Sequence, residues 1–323
     1  AKPRYHAFDA LRGTAMFLVI GLHAALGYLQ RDIPGVLWCV RDAPTTPAFD
    51  WFCWWAMGVS NPLYFAIAGF FAVGLYDSKG PRGFLSNRVG RVLVPFLVGV
   101  VTVLPATLVV WSYGWLASGR CSLREVLKLR YRDPLIQSER LGSGHLWFLE
   151  YLVVMLLAYM ALRWLADRRA DKTGPSAGVL LDRVLSSRWR LVFLAVPSTV
   201  VLWISRQRLG VDSALDRHNS FLIGPEKLFY YATFFAVGAG LYRMRNDLGR
   251  LMRAGPYYLA LSLPVFVGRA WLLGRDRMSP LVGIESWASA ALGALFSWLV
   301  VFGLIGLALR VVQRSLPIIR YLA

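Results

Sequence analysis

The stretch FDALRGTAMFLVIGLHAAL, residues 8–26, decides the fold class. It is apolar for about the length of helix that a hydrocarbon core requires, so it reads as a membrane span. Two groups in it are costly in hydrocarbon, Arg12 and His23. They stand eleven residues apart, close to three helical turns, which puts both on one face and separates them by about 16 Å along the axis. A neutral imidazole accepts a proton near pH 7, which makes His23 a candidate general base. The alternative is a packing histidine bonded to a neighbouring Ser or carbonyl. Asp9 precedes Arg12 by one turn and is placed to pair with it and orient the guanidinium.

Working outward, apolar runs of similar length recur. Together with 7–29 they fall at 48–76, 90–117, 145–164, 189–205, 221–243, 254–273 and 284–309, which makes eight. The second and third are long enough to tilt, or to kink at Pro62 and Pro105. The expected fold is therefore all-α, a polytopic integral membrane helical bundle. Hydrophobic residues at 57%, 13 Trp and 14 Tyr agree with a chain that meets two membrane interfaces. A polar linker near 166–178, marked by Gly174 and Pro175, separates two helical halves of one transmembrane domain, 1–323.

Thirty-six Lys and Arg against 18 Asp and Glu leave a net charge of +18, which calls for an anionic partner. The basic residues sit in short connections between apolar runs, a pattern that suits membrane lipid and excludes nucleic acid as the favoured partner. With the N-terminus inside, the inner connections hold Lys2, Arg4, Lys79, Arg82, Arg88 and Arg91, then the run from Arg163 to Arg190. Arg243 to Arg253 and Arg310 to Arg320 follow on the same side. The exception is 118–144, nominally outside, whose SLREVLKLRYRD reads as a basic amphipathic helix that either lies on the outer headgroups or places this segment on the other side. Cys39, Cys53 and Cys121 are far apart and form no CxxC pair, so neither a disulfide framework nor a metal centre is expected.

Two further segments carry chemistry. In NRVGRVLVP, residues 87–95, Arg88 and Arg91 stand three apart at the mouth of the third run, a pairing suited to a phosphate or carboxylate, although spacing alone favours an ordinary inner-face anchor. GSGHLWFLEYL, residues 142–152, opens the fourth run with His145, Trp147 and Glu150, the glutamate on a different helical face from the histidine. Glu150 needs a partner in either a structural or a site role. Glu226, Lys227, Arg269 and Glu285 stand near the ends of runs and read as interfacial anchors.

These segments together resemble acyltransferase family 3, the bacterial multi-span O-acyltransferases that include glucan-succinylating members. FDALRGTAMFLVIGLHAAL is similar to the family's first helix, with Arg12 and His23 at its Arg and His positions. The segment from Asn61 to Pro95 resembles its second helix, cytoplasmic loop and paired-Arg motif, with Ala68, Gly69 and Phe70 where the family usually has Ser-Gly-Phe. GHLWFLEYL resembles the fourth-helix opening of the glucan-modifying branch, and KLFYYATFFAVGAGLYRMR, residues 227–245, extends the likeness more loosely. The resemblance implies about ten spans, of which the family's final helix is not among the eight runs read here, in the bacterial inner membrane with the N-terminus cytoplasmic. It implies transfer of an acetyl or succinyl group from acyl-CoA, as donor substrate and without a metal, to a hydroxyl of a glycan acceptor outside. Arg88 and Arg91 would hold the donor phosphates, His23 would deprotonate the acceptor, and Arg12 would handle the donor or the charge of the tetrahedral intermediate. His145, Trp147 and Glu150 would support the site. Oligomeric state is not implied. The competing reading is a proton-coupled transporter or flippase for a polar or lipid-linked glycan. That reading expects symmetry between the halves, and no internal repeat is visible.

Overall fold

In the computed structural model, residues 5–31, 42–168, 177–210, 220–275 and 281–312 are described. Cys39, Lys2, Arg4, Arg314, Arg320, the closing RYLA and most of the 166–178 linker lie outside them. The described chain is helical, without strands: α1 (His6–Ala25), α2 (Pro47–Arg88), a π-helical turn at Val89–Leu93 and α3 (Val94–Ala117) come first. Two short helices, α4 (Leu123–Lys128) and α5 (Pro134–Glu139), lead to α6 (Trp147–Arg168). Then come α7 (Ala177–Ser186), α8 (Arg190–Leu209), α9 (Pro225–Arg243), α10 (Gly249–Arg275) and α11 (Gly283–Val311).

Each of the eight expected runs falls on a helix. Among the described residues, however, five helical stretches are long and apolar enough to cross a membrane, or six if α7 and α8, bent by 117°, count as one. Runs 48–76 and 90–117 join into a single 71-residue stretch, Pro47–Ala117. The prolines at 62 and 105 sit inside helix, and the non-helical residue in α2 is Gly80, at φ 65° and ψ −178°. Glycine meets no penalty there, and Pro81 fixes the restart.

Small residues set the central packing. A Cβ on Gly69 of α2 would lie 1.9 Å from the Phe235 carbonyl oxygen, and one on Gly238 of α9 would lie 1.8 Å from that of Ala66. The two backbones are therefore in contact, which membrane helices achieve only with small residues. Buried hydroxyl pairs add to the core: Tyr230 donates to Ser297 at 3.1 Å and Trp298 Nε1 to Ser198 at 3.0 Å. Asp50, 1% exposed, accepts from the backbone N–H groups of Gln30 and Arg31 and ties the end of the α1 region to α2.

Two expectations change. Arg269 is 1% exposed in the core, where Gly293 makes room for it, so it is no interfacial anchor. The 118–144 segment is not one amphipathic helix. A capping box of Ser122 and Glu125 starts α4, and Leu129 at φ 48° stops it after six residues. Tyr131 then packs on Trp115 and bonds Ser112 at 3.1 Å, which pulls the chain back onto α3.

Candidate active site

The helices alternate direction, so one end of the bundle collects the C-terminal end of α1 with the starts of α2, α6 and α9. There a cavity of about 700 Å³ opens between α1, α2, α3 and the start of α6. From α1 it is lined by Met16, Val19 and His23, and from α2 by Ser60, Asn61 and Tyr64. Leu104, Leu108, Trp111 and Trp115 of α3 form the facing wall. The volume is that of a small-molecule pocket, and its lining is mainly apolar with a few polar groups, as such pockets are.

His23 is the titratable group that α1 places on the cavity wall. Its Nδ1 lies 2.7 Å from the Val19 carbonyl oxygen, one turn back on α1. A carbonyl only accepts, so Nδ1 carries the proton and donates it, and Nε2 keeps a free lone pair. Such an imidazole is oriented and ready to take a proton. His145 stands opposite, ring centroids 5.2 Å apart at 72°, on the short 3-10 turn Gly144–Leu146. That turn is held by Ser143, whose hydroxyl donates to the Ser220 carbonyl at 3.2 Å, and by Trp111, 6.2 Å from the His145 ring.

Trp147 also lines the cavity, and the Lys227 ammonium sits 4.1 Å above its ring. Lys227 is 5% exposed and is part of the cavity wall, so its reading as an interfacial anchor is overturned. Glu150 is not on the wall; Ser143 and Lys227 are beside it. The cavity thus has a cationic edge, with Arg140 at its rim.

The remaining expected residues lie elsewhere. Asp9 and Arg12 form an ion pair at 3.8 Å, Asp9 buried and the Arg12 side chain 43% exposed, one turn before Met16 on the same face of α1. Arg12 meets the site through its backbone, whose carbonyl accepts from the Tyr64 hydroxyl at 3.4 Å. Arg88 ends α2 just before the π-helical turn, and Arg91 lies within that turn. Arg88 is half-buried with its guanidinium 5.6 Å from the Phe84 ring, and Arg91 is exposed. Thirteen residues separate Arg91 from Leu104 on the cavity wall, about 20 Å of helix. His23, His145 and Trp147 are therefore brought together, and Asp9, Arg12, Arg88 and Arg91 stand apart from them toward the opposite end.

Asn61 and Lys227 were not singled out as site residues from the sequence. Asn61 precedes Pro62 in an apolar run, an intramembrane amide without a charge to draw notice. Lys227 follows Pro225 and Glu226 at a helix start, where a positive charge normally marks an interface.

A family model described as an acyltransferase domain matches residues 5–323. No curated protein matches the chain, and no solved structure does.

Proposed function

The chain belongs to acyltransferase family 3, as a multi-pass membrane acyltransferase, and from that premise we propose that it moves an acetyl- or succinyl-type group from cytoplasmic acyl-CoA to a hydroxyl of an extracytoplasmic glycan. The observation that carries the reading is the His23 imidazole, its Nδ1 proton committed to Val19 and its Nε2 free in a cavity large enough for a sugar ring.

The chemistry follows from that tautomer. Nε2 takes the acceptor hydroxyl's proton as the oxygen attacks the thioester carbonyl. Collapse of the tetrahedral intermediate breaks the carbon–sulfur bond, and the thiolate leaves with the proton returned by the imidazolium. A positioned base supplies about 10² to 10⁴-fold. Alignment of the two substrates and a donor to the oxyanion supply much of the remainder. The Asn61 amide, on the same wall, fits the donor role. The aromatic wall of Tyr64, Trp111, Trp147 and Phe148 suits the apolar face of a pyranose.

Arg88 and Arg91 hold the donor phosphates in this scheme, at the end of the bundle that also gathers Arg163, Arg243, Arg250 and Arg253. That end is the cytoplasmic one by the charge rule. In this scheme the donor's extended arm carries its reactive carbonyl over the length of helix, about 20 Å, between Arg91 and the cavity.

Mass spectrometry of cell-surface glycans with and without the gene tests the reading. The expected result is an acyl mass increment present only with the gene, carrying isotope supplied in the acyl-CoA pool. Identical glycan masses, with the protein present in the membrane, would contradict it.

A further inference from the structure

At the bundle end remote from His23 lies a second cavity, of about 460 Å³, between the α7–α8 turn, the α9–α10 turn and α11. Its wall carries Arg190, Arg250 and Arg253, with Ser186 and Asn246 as neutral partners and Asp247 as the one carboxylate. Three guanidiniums against one carboxylate leave the pocket strongly positive.

The arginines are not spent on acids. Among the described residues no ion pair within 4.0 Å joins any of the three to an Asp or Glu. Arg190 is half-buried; its Nη1 donates to the Leu185 carbonyl at 3.2 Å, which steadies the side chain at the pocket wall. Arg250 and Arg253 stand three apart in the first five residues of α10, both exposed, and extend from one helical face at the pocket's mouth. Both α8 and α10 begin at this pocket, and the α8 start has no side-chain cap, so the positive ends of two helix dipoles add to the arginines.

We infer that this pocket binds a phosphate group, clamped by Arg190, Arg250 and Arg253. Guanidinium forks match phosphate oxygens, and the volume falls in the range of ligand pockets rather than of packing voids. The phosphate comes either from a soluble phosphorylated nucleotide or from the headgroup of an anionic lipid in the adjoining leaflet. From Lys227 on the first cavity to Met244 on the second, the chain climbs 17 residues, about 26 Å of helix. The bound phosphate therefore cannot touch His23, and the site stands whatever reaction the first cavity performs. It is also distinct from Arg88 and Arg91, which belong to a wall made by α2, the π-helical turn and α6.

The test uses the full-length protein and two probes. Adenosine 3′,5′-bisphosphate is titrated by thermal unfolding in detergent, and phosphatidylglycerol retained from mixed phosphatidylcholine nanodiscs is counted by native mass spectrometry. The variant is R250Q with R253Q, and the control with equal charge loss is R163Q with R168Q. If the source is soluble, bisphosphate affinity falls about tenfold or more in the variant and not in the control. If the source is lipid, the retained phosphatidylglycerol falls in the variant alone. Binding of neither probe by the wild type, or equal binding by wild type, variant and control, overturns the site.

Discussion

Lys227 shows how burial changes the meaning of a charge. In the sequence it is one more lysine at a helix start, yet it is 5% exposed, above the Trp147 ring and beside Glu150. Removing one member of a buried charged group leaves the other uncompensated, at a cost of about 3–5 kcal/mol. Lys227→Met is therefore expected to lower the melting temperature markedly, and adding Glu150→Gln to restore much of the loss. Additive destabilisation in the double variant would show that the two do not interact. His23, His145 and Trp147 were legible because each is a polar or aromatic break in an apolar run. Asn61 and Lys227 were not, because their roles arise only where α2 and α9 meet the wall made by α1 and α6. That meeting joins Asn61 to His23, 38 positions away, and Lys227 to Trp147, 80 positions away, and no local pattern encodes it.

At the scale of elements, the α2–α9 crossing decides where Lys227 sits. Gly69 and Gly238 put each backbone against the other's carbonyl, leaving no side chain able to yield. Gly69→Ala or Gly238→Ala should cost about 1–3 kcal/mol and shift α9, measurable as a lower midpoint of thermal unfolding together with weakened acyl transfer. A second element responds to pH. Glu125 accepts from the Ser122 backbone N–H and hydroxyl and from the Arg132 N–H, which holds its carboxyl at about 2, below its ordinary 4.5. The depressed value means that the capping box contributes its full stability above pH about 4.5 and loses it as pH falls through 2. Hydrogen exchange of α4, corrected for intrinsic rates, should thus accelerate in that window and should lose this pH dependence in Glu125→Gln. The sequence signalled this helix start through Ser122 and Glu125, but not its stop. Leu129 takes a left-handed conformation because Tyr131 is drawn onto Trp115, a tertiary demand.

For the whole molecule, the membrane-bundle class was readable because apolar runs of this length have few alternatives in water. The count of spans was less readable, since α2 and α3 continue through the Gly80 bend and the π-helical turn as one stretch, and α9 begins with two charges. The assembled bundle has two chemically distinct ends: an aromatic cavity holding His23 and His145 at one, and an arginine-rich pocket at the other. The transfer proposed above uses this polarity, with recognition of a charged donor at one end and the reacting hydroxyl at the other. The central claim is that the His23 Nε2 removes the acceptor's proton. It is tested most directly by the acylated glycan formed per molecule of enzyme in cells carrying His23→Gln, compared with wild type and with His145→Gln, at matched membrane abundance and melting temperature. The expected result is a loss of about 10²-fold or more for His23→Gln and a smaller loss for His145→Gln. Wild-type acylation by a folded His23→Gln enzyme would contradict it.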